Sequence, residues 1–140
     1  MIKKTGRCLC DKIQFEVELS DTHYDACHCG MCRRWAGGPF FGKTADSLKI
    51  LSGAESAKAF RTSDWAERVH CAECGANLWY HLLPADLYMV SVGALDDQSD
   101  MDLVEEIYID CKPKGYAFAG ETDKKTEADV VAAFTSAQDA

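Results

Sequence analysis

The chain has 140 residues, of which 47% are hydrophobic, 27% charged and 10% aromatic, with a formal net charge of −8. That length suits one domain, the apolar share excludes a disordered chain, and the acidic balance disfavours nucleic acid or any partner bound through its phosphates. No apolar run approaches the ~18 residues of a membrane span. Met1-Ile-Lys-Lys-Thr-Gly has two lysines but no apolar stretch of a secretory leader behind them, so a soluble cytoplasmic protein is expected.

Residues 13–19 (IQFEVEL) are apolar at every odd position and polar at every even one, the pattern of a half-buried strand. Residues 39–43 and 48–51 are short apolar runs punctuated by Gly42 and Gly53, again strand-like. Residues 57–61 and 65–69 continue the pattern, the second leading into Cys71, and residues 77–83 follow until Pro84 stops them. Residues 87–92 and 104–109 are two further β-branched and aromatic runs. Residues 115–125 read as a polar loop. Thr126 then opens a T-x-x-D capping box, with Val130, Val131 and Phe134 on one helical face. The expected fold is mainly β: one domain over residues 1–140, made of short strands with cysteine groups in the turns and a short C-terminal helix.

Eight cysteines stand at positions 8, 10, 27, 29, 32, 71, 74 and 111, and the first seven fall in C-x-C or C-x-x-C groups. A reducing cytosol disfavours disulfides, and tight clusters let several sulfurs converge on one ion, so metal sites are expected. Cys71-Ala-Glu-Cys74-Gly75 is a turn that offers two ligands, and Cys8-Leu-Cys10 offers two more. Four thiolates at about 2.3 Å would close a tetrahedral zinc site and leave no room for substrate. Cys27-His-Cys29-Gly-Met-Cys32 offers three sulfurs and no obvious fourth ligand, the open arrangement of a catalytic zinc. His28, flanked by two ligating cysteines, is expected to point away from their shared ion. Cys111 stands alone in a β-like run and reads as a small buried residue outside both sites. Spacing alone does not fix the pairing: the triad with one further cysteine, or a single binuclear cluster, also satisfies valence.

Three anionic sulfurs outweigh the charge of one zinc ion, which makes it a weak Lewis acid and counts against a hydrolase. A substrate thiol suits such a site better, because its thiolate is a soft ligand and stays nucleophilic. Arg33 and Arg34 follow the triad, where they either counter its charge and hold carboxylates or form an ordinary solvated pair. Gly37-Gly38 reads as a turn, His23 and Asp25 as loop residues within reach of a proton-shuttle role, and Trp35, Phe40, Phe41 and Trp79 as core aromatics.

Residues 5–10 (TGRCLC), 27–34 (CHCGMCRR) and 69–78 (VHCAECGANL) together resemble the glutathione-dependent formaldehyde-activating enzyme family, which also contains centromere protein V. The resemblance covers roughly residues 5–120, leaving a tail over 121–140, and takes in all seven clustered cysteines in order and spacing. Residues 109–113 and 116–120 follow the family pattern more loosely: Cys111 occupies a serine-like position, and the tryptophan after Pro113 is absent. The resemblance implies a β-tent fold with two zinc ions. It implies a structural zinc on Cys8, Cys10, Cys71 and Cys74, and a catalytic zinc on Cys27, Cys29 and Cys32 with substrate or water as its fourth ligand. The implied activity is condensation of glutathione with formaldehyde, a carbon–sulfur lyase reaction in reverse, so the expected partners are a small thiol such as glutathione and a small aldehyde. The competing expectations are a noncatalytic zinc-binding protein-interaction module and a protein that hands zinc on through the open triad.

Overall fold

A computed structural model describes residues 1–139. The chain forms two compact units, each discontinuous in sequence: residues 1–23 with 42–102, and residues 24–41 with those from Leu103 onward.

In the first unit, β1 (Ile2–Arg7), β2 (Gln14–Leu19) and β5 (Ser47–Ser52) form an antiparallel sheet in the order β1-β2-β5. The predicted alternation of residues 13–19 is met: Ile13, Phe15, Val17 and Leu19 are all fully buried while the residues between them face outward. Each such side chain contributes about 1.5–3 kcal/mol by leaving water. The unit's other strands, in spatial order, are β4 (Phe40–Ala45, from Gly42 on), β9 (Leu87–Ser91), β8 (Asn77–Leu82), β7 (Ala66–Cys71) and β6 (Ala57–Arg61). All four pairings are antiparallel. Leu78, Trp79, Val90 and Val69 turn inward from this run onto the β2 residues, with the Phe15 and Trp79 rings edge to face at 5.4 Å. Trp79 is thus a core aromatic, as expected.

The second unit holds β3 (His23–Cys27, from Tyr24 on), α1 (Gly30–Ala36), β10 (Asp102–Ile107, from Leu103 on), β11 (Asp123–Lys124) and α2 (Glu127–Asp139). β11 pairs with β10 in parallel, Glu105 opposite Asp123 and Glu106 opposite Lys124. The capping box of α2 forms as predicted: Asp129 N donates to Thr126 Oγ1 at 3.1 Å, and Thr126 N donates back to Asp129 Oδ2 at 2.9 Å. Its apolar face packs less than the periodicity suggests, because Val131 and Phe134 remain exposed. Two strands, β3 and β11, and the helix α1 go beyond the sequence reading in this unit, which placed a helix at the C-terminus.

Candidate metal centres

Cys8 follows the last residue of β1 and opens a tight turn in which Asp11 N donates to Cys8 O at 3.2 Å, with Asp11 at φ 65°. The Cys8-Leu-Cys10 segment is therefore turned rather than extended, and Leu9 is pushed out to 84% exposure while both sulfurs point to one spot. The second pair comes from the end of β7. There Cys71 N donates to Ala76 O at 3.0 Å and Gly75 N donates to Cys71 O at 2.8 Å. Gly75 adopts φ 76°, which a side chain would strain, so the turn that aims Cys74 back toward Cys71 depends on glycine.

The four sulfurs of Cys8, Cys10, Cys71 and Cys74 lie within 4.8 Å of one another. Cys8 Sγ is 3.6 Å from Cys10 Sγ, and Cys10 Sγ is 3.9 Å from Cys71 Sγ. A tetrahedron of sulfurs at about 2.3 Å from zinc has edges of about 3.8 Å, and the two measured edges bracket that value. Electrostatics point the same way. The Ala76 backbone N–H holds the Cys74 thiol down to about 6. The Lys12 backbone N–H also favours the Cys10 thiolate, yet removal from water and the sulfurs of Cys8, Cys74 and Cys71 push Cys10 up to about 12. Crowded thiols resist ionising together unless a cation joins them. The donor set, spacing and charge all fit zinc.

The second group is built differently. Cys27 ends β3, Cys29 is the N-cap of α1, and Cys32 sits in its first turn. Cys32 N donates to Cys29 Sγ at 3.4 Å, and Arg33 N donates to Cys29 O at 3.0 Å. α1 ends at Gly37, whose φ of 81° lets its N–H return to Arg33 O at 2.9 Å. Gly37-Gly38 therefore does shape a turn, and that turn is a helix cap. The sulfurs of Cys27, Cys29 and Cys32 lie within 4.8 Å of one another, with no fourth cysteine, histidine or carboxylate grouped with them among the described residues. Hydrogen bonding to the sulfurs of Cys29 and Cys32, then burial and the Cys32 charge, push the Cys27 thiol far above its usual range. This set also suits a soft cation and leaves room for one further ligand.

His28 points away from the sulfurs, as alternation predicts. Its ring is fully buried, with Nε2 2.8 Å from Glu106 Oε1 and Nδ1 2.8 Å from Tyr116 Oη. Glu106 also accepts a hydrogen bond from Thr122 Oγ1. Sequence reasoning missed Glu106, Tyr116 and Thr122 as neighbours of the triad. Arg33 Nε donates to His28 O at 3.0 Å, so one of the two arginines braces the triad's backbone, while Arg34 is exposed. His23 is an exposed residue at the head of β3. Trp35 packs on Phe40 at 5.0 Å, and Phe41 lies 5.7 Å from Phe118 while staying 37% exposed. Cys111 joins neither cysteine group; it lies with Asp110 and Glu127, and burial and their charges raise its thiol.

A family model described as glutathione-dependent formaldehyde-activating enzyme matches residues 3–111. A Schizosaccharomyces pombe protein named as an uncharacterized lyase is 27% identical over 127 residues, spanning 90% of this chain and 93% of its own. A Halomonas elongata protein named for glutathione-dependent formaldehyde activation is 29% identical over 84 residues, 53% of each chain. The crystal structure of a Rhodobacter sphaeroides protein superposes with a TM-score of 0.58 at 25% identity, covering 71% of this chain and 99% of that one.

Proposed function

The chain belongs to the glutathione-dependent formaldehyde-activating enzyme family, and we propose that it is a zinc-dependent enzyme of the carbon–sulfur lyase type. It forms or cleaves the adduct of a small thiol, such as glutathione, with a small aldehyde. Cys27, Cys29 and Cys32 hold the zinc at which the thiol reacts; Cys8, Cys10, Cys71 and Cys74 hold a second, structural zinc. The observation that carries this reading is the difference in ligand number between the two groups, four sulfurs in one and three in the other. The relatives' names, a lyase and a formaldehyde-activating enzyme, support the same reaction class. We take the working compartment to be the reducing cytoplasm, which keeps seven clustered thiols available as ligands.

Bound zinc would supply the positive charge that keeps a substrate thiol deprotonated near neutral pH while its sulfur remains nucleophilic. The chain's own residues do the rest. The buried Cys27 and Cys32 thiols exclude water from one side of the centre, and α1 fixes Cys29 and Cys32 through its first turn. Arg33 stiffens the backbone between Cys27 and Cys29 through the His28 carbonyl. In the forward direction the thiol sulfur forms a bond to the carbonyl carbon, the C=O pair moves onto oxygen, and that oxygen gains the proton the thiol gave up. Holding both reactants at one centre supplies most of the acceleration.

The test is turnover by zinc-loaded protein with glutathione and formaldehyde, followed by loss of free thiol and of free aldehyde. Adduct formation faster than in buffer, abolished in Cys29→Ser, supports the reading. Turnover that survives Cys29→Ser would remove the triad from the chemistry.

A further inference from the structure

β6 is the last strand of its sheet, paired with β7 on one side alone. Lys58, Ala59, Phe60 and Arg61 are exposed, Phe60 to 67%. Strand edges are usually blunted by proline, a bulge or a covering loop. β6 has no proline and runs against β7 without a register shift. Its free side is therefore ready to pair.

The direction of its backbone groups follows from the two ends of the β6–β7 ladder. Ala72 N donates to Ser56 O at 2.8 Å, and Thr62 N donates to Ala66 O at 3.1 Å, so Ser56/Ala72 and Thr62/Ala66 are hydrogen-bonded pairs. In an antiparallel ladder every second pair is bonded. Lys58 and Phe60 thus direct their N–H and C=O to β7, and Ala57, Ala59 and Arg61 turn theirs to the free side.

A second β6 running antiparallel fits this edge best in one register. With Ala59 opposite Ala59, Ala57 faces Arg61 of the second copy, and each such pair exchanges both of its bonds. Lys58 then lies opposite Phe60 of the second copy in the non-hydrogen-bonded position, where side chains are closest. An ammonium beside an aromatic ring is attracted to it there. Neither cation meets another, because Lys58 and Arg61 lie on opposite faces of the strand. Arg61 is also held locally, its Nε and Nη2 donating to Ser63 O and Asp64 O. The register centred on Lys58 would oppose two lysines, and the one centred on Phe60 would bond fewer strand residues.

We propose that the protein self-associates as a two-fold symmetric dimer through the β6 edge, with Ala59 opposite its counterpart and Lys58 against Phe60 of the second copy. The contact uses both edges alike and so closes at two chains. One strand pair is a small interface, so the dimer is in reversible equilibrium with the monomer.

Sedimentation equilibrium of zinc-loaded protein at concentrations up to about 1 mM tests this. The average mass should climb with concentration from that of one chain towards two. Ala59→Pro removes an N–H that points away from β7 and should stay monomeric, with zinc content and circular dichroism checking its fold. Phe60 reads the register, and decides alone if Ala59→Pro does not fold. Phe60→Glu sets an opposite charge against Lys58 and should keep the dimer, whereas Phe60→Lys sets a like charge there and should weaken it. Their dissociation constants should differ roughly 10-fold. Net charge alone argues the reverse order, since Phe60→Glu makes an acidic chain more acidic. Wild type that stays monomeric, a dimer that persists in folded Ala59→Pro, or equal association of the two Phe60 variants would overturn the proposal.

Discussion

Cys29 Sγ accepts the backbone N–H of Cys32 at 3.4 Å, so one sulfur both caps α1 and belongs to the three-sulfur group. The two duties separate by substitution. Cys29→Ser keeps an oxygen able to cap and loses the soft ligand; Cys29→Ala loses both. Cys29→Ser should therefore melt near wild type in metal-free protein, with Cys29→Ala about 1 kcal/mol less stable. Both should bind zinc weakly at this centre and be inactive. Equal melting of the two variants would show that the sulfur contributes nothing as a cap.

The four-sulfur group ties the turn after β1 to the end of β7, with Cys8 and Cys71 buried. Removing one of its sulfurs loses metal-binding free energy that is also folding free energy. Cys71→Ser or Cys8→Ser should cost several kcal/mol, much more than Cys29→Ser, in thermal melts of zinc-loaded protein. A mild chelator should strip one zinc of two while the fold persists, because the closed site offers no position for an incoming ligand. Elemental analysis should find two zinc ions per chain before chelation. One ion, with no gain on adding zinc, would contradict the two-site account.

Glu106 makes a prediction about acid. Its folded value lies below the usual 4.5 through Thr122, His28 and Lys124, so its pairing stabilises the fold above about pH 4.5 and is lost as pH falls through the lower folded value. Glu106→Gln should cost about 1.5–3 kcal/mol near neutrality, the range for hydrogen bonds to a charged group, and progressively less below pH 4. Melting of both proteins across that range reads the difference directly. A gap that widens in acid would reverse the assignment of charge.

The β2 core was legible because Ile13, Phe15, Val17 and Leu19 alternate without exception, and period two has a single structural meaning. The cysteine groups were legible for a similar reason: C-x-C and C-x-x-C bring sulfurs together whatever the intervening fold. β1 was not. Its inward positions are occupied by Lys4 and Gly6, which carry no apolar signal, and Lys4 is buried through its bonds to Asp100 Oδ1 at 2.8 Å and Asp97 O at 3.0 Å. α1 has 7 residues, too few for a periodic pattern, and its cap is a cysteine that reads as a ligand first. Glu106 shows the remaining limit. It lies beside Glu105 in the same strand, and the inward carboxylate is distinguished by distant partners, His28 and Thr122, that no local pattern shows.

The central claim is that the Cys27, Cys29, Cys32 centre takes a thiol as its next ligand. X-ray absorption at the zinc edge measures this without assuming a substrate. Seven cysteine sulfurs shared by two ions give about 3.5 sulfurs per zinc, and saturating glutathione should raise the average towards 4 as one more sulfur binds. The rise should be absent in Cys29→Ser. An average that stays at its starting value with glutathione and with smaller thiols would contradict the account and leave a noncatalytic zinc-binding module in its place.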